Sequence, residues 1–155
     1  MSRFAEQTSV PSDKSRAEIE RTLSRYGASS FMYGTTQDRA IVAFEMAGRR
    51  IKFDLPMPNR NADEFKLTPA RRAVRNPEQQ AAAYEQAVRQ RWRALALVIK
   101  AKLEAVECGI TEFEEEFLSH IVLPGGHTVG ELIIPQIARA YETGEMPPLL
   151  EGPRA

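Results

Sequence analysis

A chain of 155 residues with 43% hydrophobic and 27% charged residues has the composition of an ordinary globular protein, which excludes a disordered polyelectrolyte and allows a core without disulfide or metal support. The lone cysteine, Cys108, excludes an intrachain disulfide, and neither a basic-then-apolar leader nor an apolar run of membrane-spanning length is present, so the expectation is one cytoplasmic domain with no membrane contact. Formal net charge is zero, yet residues 1–103 carry 19 basic against 11 acidic side chains while residues 104–155 carry 2 against 10, a separation that favours attraction within one chain or between copies.

Residues 1–11 are polar and read as a flexible arm ahead of a single domain at 12–146. Ser15 and Glu18 have the spacing of a capping box, Ile19, Leu23 and Tyr26 share a stripe, and Gly27 supplies a stop, which predicts a short helix over about 14–26. The segment SSFMYGTTQDRAIVAFEMAGRRIKFDLP then holds three apolar runs, divided at Gly34 to Asp38 and at Ala47-Gly48, the pattern of a three-stranded antiparallel meander. In its third run Ile51, Phe53 and Leu55 alternate with Arg50, Lys52 and Asp54, so one face packs on helices and a mildly basic face stays wet. Pro56 and Pro58 close the sheet because proline cannot donate to a central ladder.

Residues 59–76, NRNADEFKLTPARRAVRN, lack periodicity and contain Arg60, Lys66, Arg71, Arg72 and Arg75. They read as a long basic loop, the first place to expect a ligand contact. Asn76-Pro77-Glu78-Gln79 is a helix start with Asn as cap and Pro at the first helical position, and Gly109 is the matching stop. The helix between them spans roughly 48 Å at about 1.5 Å per residue. On a helical wheel Trp92 falls in the stripe of Tyr84, Val88, Leu95, Ile99 and Leu103, which assigns it to the core rather than to base stacking. Arg89, Arg93 and Lys100 form a basic ridge on the opposite side, and a small apolar stripe of Ala87, Ala94, Leu97, Ala101 and Ala105 invites a second covering helix. Arg91 and Lys102 intrude on the first apolar stripe and are expected to pair with carboxylates of the acidic C-terminal part.

Thr111 and Glu114 have capping-box spacing for a further helix holding Phe113, Phe117, Leu118 and Ile121. Glu116 and His120 stand four apart, a spacing found at metal sites, but two residues without a third predict no metal. A Gly125-Gly126 turn and a Thr128/Glu131 box open the last helix, which Pro135 should kink or begin, and a proline-rich tail follows at 147–155. His127 reads as a turn residue and Cys108 as structural. No phosphate-loop, dinucleotide, zinc-protease or paired-cysteine pattern occurs, so no catalytic residue, metal ligand or cofactor is expected. The fold class is therefore α+β: N-terminal helix, three-stranded antiparallel meander, one long helix, two shorter C-terminal helices.

The stretches AEIERTLSRYGA, GRRIKFDLPMP, RQRWRALALVIKAKLEAVECGI and FEEEFLSHIVLPGGHTVGE together resemble a family of small proteins encoded by tailed bacteriophages and prophages, over about residues 15–150. The segment RQRWRALALVIKAKLEAVE is the most specific part of the likeness. The resemblance implies the cytoplasm of a host cell and a place in phage replication, recombination or interference with the host; it supplies no site residues. Two functions fit. The first is a homo-oligomeric nucleic-acid-binding accessory, a single-strand binding or annealing factor, whose Arg71, Arg72, Arg75, Arg89, Arg93 and Lys100 contact the phosphates of single-stranded or duplex nucleic acid. The helix–meander–long-helix order is similar to that of strand-annealing recombination proteins, an analogy at the level of fold. The second is an interaction or counter-defence protein that binds a host protein or sequesters a small nucleotide signalling ligand.

Overall fold

The computed structural model describes residues 5–148, so the first four residues of the expected arm and residues 149–155 of the expected tail lie outside it. The elements run α1 (Ser12–Arg25), β1 (Ser30–Thr35), β2 (Arg39–Met46), β3 (Arg49–Pro56), α2 (Asp63–Lys66), α3 (Pro77–Glu107), α4 (Phe113–Glu116), a 3-10 turn (Leu118–His120) and α5 (Val129–Thr143). The architecture is α+β, in the element order that hydrophobic patterning predicts.

The three strands pair antiparallel in the order β1-β2-β3. Phe31 lies opposite Phe44 and Phe44 opposite Ile51; Tyr33, Val42 and Phe53 form the next row. Because side chains alternate with a period of two, these rows share one face. That face is closed by Ile19 and Leu23 of α1 and by Trp92, Leu95, Ala96, Ile99 and Leu103 of α3, all buried. Phe44 and Phe53 lie parallel with centroids 6.5 Å apart, and Phe117 meets both edge-on at 6.0 and 6.3 Å. The turn at Ala47-Gly48 takes two left-handed residues, φ +51 and +71, the backbone that a two-residue hairpin requires.

Helix α3 is unbroken, and both of its ends follow from local chemistry. The Asn76 side chain accepts from the Gln79 amide at 2.8 Å while the Gln79 side chain accepts from the Asn76 amide at 3.1 Å. At the other end Gly109, at φ +71, allows Ile110 N–H to return to the Ala105 carbonyl at 3.0 Å, which satisfies an otherwise open helix-end carbonyl. The arm residues that are described lie against this helix, with Gln86 Nε2 donating to the carbonyls of Glu6 and Thr8 at 3.2 and 2.7 Å.

Three local expectations are corrected. Helix α1 starts at Ser12 with Pro11 as its cap residue, so Ser15 is not a cap: its amide donates to Pro11 O at 3.1 Å and its buried hydroxyl has no partner among the described residues. Residues 59–76 are not structureless, because α2 and a Leu67–Val74 bridge lie within them. The helix expected from Thr111 is one turn capped at Glu112, followed by the 3-10 turn and an extended Ile121–Val122 pair. There, burial of Phe117 and pairing to the β3 edge, with Val122 N–H on Arg50 O at 2.8 Å, win over the helical pattern. Helix α5 begins at the expected Thr128/Glu131 capping box, and of the two roles open to Pro135 the helix takes the one in which the proline lies inside it. Its first turn is held close, since a Cβ on Gly130 would stand 2.9 Å from the Ser119 carbonyl.

Candidate nucleic-acid interface

The basic segment after β3 is built as a small folded projection on the N-terminal half of α3. Phe65 of α2 is buried edge-on against Tyr84 of α3, with centroids 5.6 Å apart, and anchors the segment. Beyond it the chain folds back on itself. Thr68 N–H donates to Ala73 O at 2.8 Å, Ala73 N–H to the Thr68 hydroxyl at 3.0 Å, and Arg75 N–H to Lys66 O at 2.7 Å. Arg72, at the tip, sits at φ +48, a left-handed conformation that a residue with a Cβ keeps only when surrounding bonds hold it.

This turn sorts the three loop arginines. Arg71 and Arg72 are exposed at the tip, and among the described residues neither has a carboxylate within ion-pair distance. Arg75 points back, its Nη1 donating to the Glu64 carbonyl at 3.2 Å, and acts as a strut. Between the Thr36–Asp38 turn and residues 57–61 lies an open cleft of about 800 Å³, floored by Tyr84, with Gln37, Asn59, Arg60 and Asn61 in its walls. The Arg60 guanidinium sits 4.5 Å from the centre of the Tyr84 ring. Sequence periodicity placed Tyr84 in the core stripe and did not reveal this half-open position, because the sheet ends before reaching it.

The ridge on α3 is not one outward edge. Helix α1 lies over part of it: Arg93 is ion-paired with Glu18, and both side chains are largely covered. Arg89 is half-buried, with its Nε fully enclosed and unbonded among the described residues. Lys100 is exposed but stands on the third turn beyond Arg89. The structure therefore groups Arg71 and Arg72 and separates them from Arg93 and Lys100. Trp92 is 1% exposed, edge-on to Tyr33 at 6.2 Å and beneath the Arg16 guanidinium at 5.1 Å, so it is closed to a base.

Of the two cations intruding on the apolar stripe, Lys102 makes the expected internal pair, with Glu116 Oε1 at 3.0 Å and the Glu116 carbonyl at 3.2 Å. Arg91 has no carboxylate partner among the described residues. Glu116 and His120 do not converge on a common point: His120 Nδ1 lies 3.2 Å from Lys52 O and its ring stacks on Phe53 at 4.0 Å. Burial holds the His120 pKa below the usual histidine value, with nearby Lys102 adding to the effect and the Lys52 carbonyl opposing it. Glu131 is held below its ordinary value by the Thr128 amide first and then by Lys52, 3.2 Å away. His127 is exposed, 3.4 Å from Glu131, and Cys108 is exposed at the end of α3. Among the described residues no group of three or more His, Cys, Asp or Glu is placed to hold a metal ion, and no helix is long and apolar enough to cross a membrane.

No known family, curated protein or solved structure is matched by this chain.

Proposed function

We propose that the protein is a nucleic-acid-binding accessory of phage replication or recombination, with its contact surface at the projection carrying Arg71 and Arg72 and at the cleft over Tyr84. The observation that carries the reading is the pair of exposed arginines with no carboxylate partner among the described residues, on a turn closed by hydrogen bonds that fix its strained tip. A guanidinium offers forked donors that match phosphate oxygens, and such contacts position a strand without reading its sequence. The cleft supplies what a phosphate contact lacks. Side-chain amides of Gln37, Asn59 and Asn61 present donors and acceptors to a base edge, and the Arg60 plane over Tyr84 is a stacking platform. Base edges reach such a cleft only when unstacked, so the reading favours single strands over duplex.

The test is fluorescence anisotropy with labelled single-stranded and duplex oligonucleotides over a range of salt. Each phosphate contact on a single strand contributes about −0.7 to the slope of log affinity against log salt. The Arg71→Ala/Arg72→Ala variant is expected to bind more weakly and to flatten that slope by about 1.4. Absence of binding to either oligonucleotide at low salt rejects the function; unchanged binding by the double variant rejects this surface.

The cleft favours a second reading as a counter-defence protein that sequesters a small nucleotide ligand, since its volume of about 800 Å³ falls in the range of small-molecule sites. A rise in melting temperature with free nucleotides, without oligonucleotide binding, selects that alternative.

A further inference from the structure

We infer that the cleft over Tyr84 takes a guanine base, read along its Watson–Crick edge by the Asp38 carboxylate and the Asn59 side-chain amide, an inference that rests on the single-strand reading above. Asp38 stands in the cleft wall on the turn between β1 and β2, and hydrogen bonds hold that turn in place. Thr36 N–H donates to Arg39 O at 2.7 Å, and Met57 N–H donates to Asp38 O at 2.9 Å, which ties the turn to the chain leaving β3. The Thr36 hydroxyl donates to Asp38 Oδ1 at 3.1 Å. The rest of the carboxylate is exposed, and among the described residues no cation lies within ion-pair distance of it. An ionised carboxylate only accepts hydrogen bonds, so this wall calls for donors.

Asn59 supplies the opposite sense. Its Oδ1 accepts from Asn61 N–H at 2.9 Å and its backbone carbonyl accepts from Ala62 N–H at 3.0 Å, a local turn of the kind asparagine favours. The amide oxygen is engaged in that turn, so the end of the side chain left for a ligand is the NH2 donor. The cleft therefore holds a carboxylate that accepts and an amide that donates, both in its walls. The Arg60 guanidinium, 4.5 Å from the centre of the Tyr84 ring, lies in the same cleft as the flat surface for a base.

That pattern sorts the bases. Along its Watson–Crick edge guanine presents the O6 acceptor, then the N1–H and N2–H donors. The two adjacent donors meet a carboxylate in the parallel, charge-assisted way that a guanidinium does, and O6 meets an amide NH2. Adenine and cytosine each set a ring-nitrogen lone pair beside their one amino donor, and thymine sets its single N–H between two carbonyls. Each of those edges turns at least one lone pair toward the carboxylate, and a polar group left facing a like partner counts against binding. The negative charge of Asp38 also repels phosphate, so the base rather than the backbone is the part of a strand that fits this wall.

Fluorescence anisotropy on the full chain, with short thymidine strands that differ in one central base, tests this. The strand with guanine is expected to bind about tenfold more tightly than the same strand with adenine. Inosine, which lacks the N2 amino group, is expected to lose most of that preference, and 7-deazaguanine, whose Watson–Crick edge is intact, to keep it. Asp38→Asn keeps an acceptor for Thr36 but removes half of the carboxylate, and should bring the guanine-to-adenine ratio close to one. Asn59→Asp keeps the acceptor for Asn61 N–H while replacing the donor to O6 with an oxygen, and should lower the ratio in the same way. Circular dichroism checks that both variants fold. Equal binding of the guanine and adenine strands by the wild type overturns the inference and leaves the single-strand reading standing, whereas binding to no strand overturns both. A preference that survives in Asp38→Asn, or that 7-deazaguanine abolishes, overturns the inference as well.

Discussion

Replacing Trp92 with alanine separates a core role from a binding role at the residue where the sequence offers both. An aromatic side chain of this size buries about 150–250 Å², worth roughly 4–6 kcal/mol at about 25 cal/mol per Å², an upper bound because the unfolded chain already hides part of that area. Measured aromatic-to-alanine changes in cores cost about 3–5 kcal/mol, and the 1% exposure of Trp92 between α1, α3 and β1 puts it in that class, so about 4 kcal/mol is expected. Trp92→Phe keeps a ring against Tyr33 and under Arg16 and should cost about 1–2 kcal/mol. Urea denaturation followed by circular dichroism reads both: with a slope of about 2 kcal/mol per molar, the alanine variant should lose about 2 M in midpoint. An alanine variant within 1 kcal/mol of wild type, or one that folds normally yet fails to bind oligonucleotide, would refute the assignment of Trp92 to the core.

Three further outcomes can be checked with the same apparatus. Asn76→Ala removes one half of the capping box on α3 and should destabilise by about 1 kcal/mol, while Asn76→Asp should retain most of it. Gly130→Ala drives a Cβ to 2.9 Å from a backbone carbonyl that cannot rotate away, so a loss of about 1–3 kcal/mol is expected and an unchanged urea midpoint would show that α5 is free to shift. His120 sits below its ordinary pKa in the folded chain, so the unfolded chain binds its proton first: its contribution is complete above the unfolded value near 6.5 and is lost as pH falls through the folded value. Stability measured from pH 8 down to 5 should therefore decline more for wild type than for His120→Asn, and parallel curves would exclude this source.

What the sequence made legible divides by the range of the interaction. Helix α3 could be read from both ends because its cap is a four-residue matter and its stop is a single left-handed glycine. Its buried stripe, Trp92 included, follows from angle alone, and the Lys102–Glu116 pair follows from the cost of an unpartnered cation beside the core. The misreadings arise where a neighbour distant in sequence decides. Thr111 and Glu114 have the spacing of a box, but the chain leaves the helix to bury Phe117 and to pair Val122 with β3, partners more than sixty residues earlier. The basic ridge is the same lesson in reverse. A wheel gives the direction of Arg93 correctly and cannot show that α1 brings Glu18 to meet it. Within the candidate interface, Arg71, Arg72 and Arg75 look alike in sequence, and only the closed turn separates the two at the tip from the one used as a strut.

The segregation of charge along the chain bears on partners once the ion pairs are placed. Three described pairs join the basic part to the acidic part: Arg49 with Glu114, Lys52 with Glu131 and Lys102 with Glu116. They seat α4 and the start of α5 against β3 and α3, which is how attraction within the chain is expressed. Starting from +8 and −8, they leave a surplus of five charges on each part. At an ionic strength near 0.15 M such a surplus acts over about 8 Å, so it selects what docks on a surface rather than what approaches from afar. The cationic surplus includes exposed Arg71 and Arg72, and the anionic surplus includes Glu142 and Glu145 beside the exposed side chains of α5. A strand of phosphates would meet the cationic surplus at the tip and be repelled by the anionic surplus on α5. The two groups should therefore respond differently to charge reversal: Arg71→Glu/Arg72→Glu should abolish oligonucleotide binding, whereas Glu142→Arg/Glu145→Arg should not lower it, a difference that anisotropy on the two variants can read side by side, and equal losses in both would refute a contact confined to the tip.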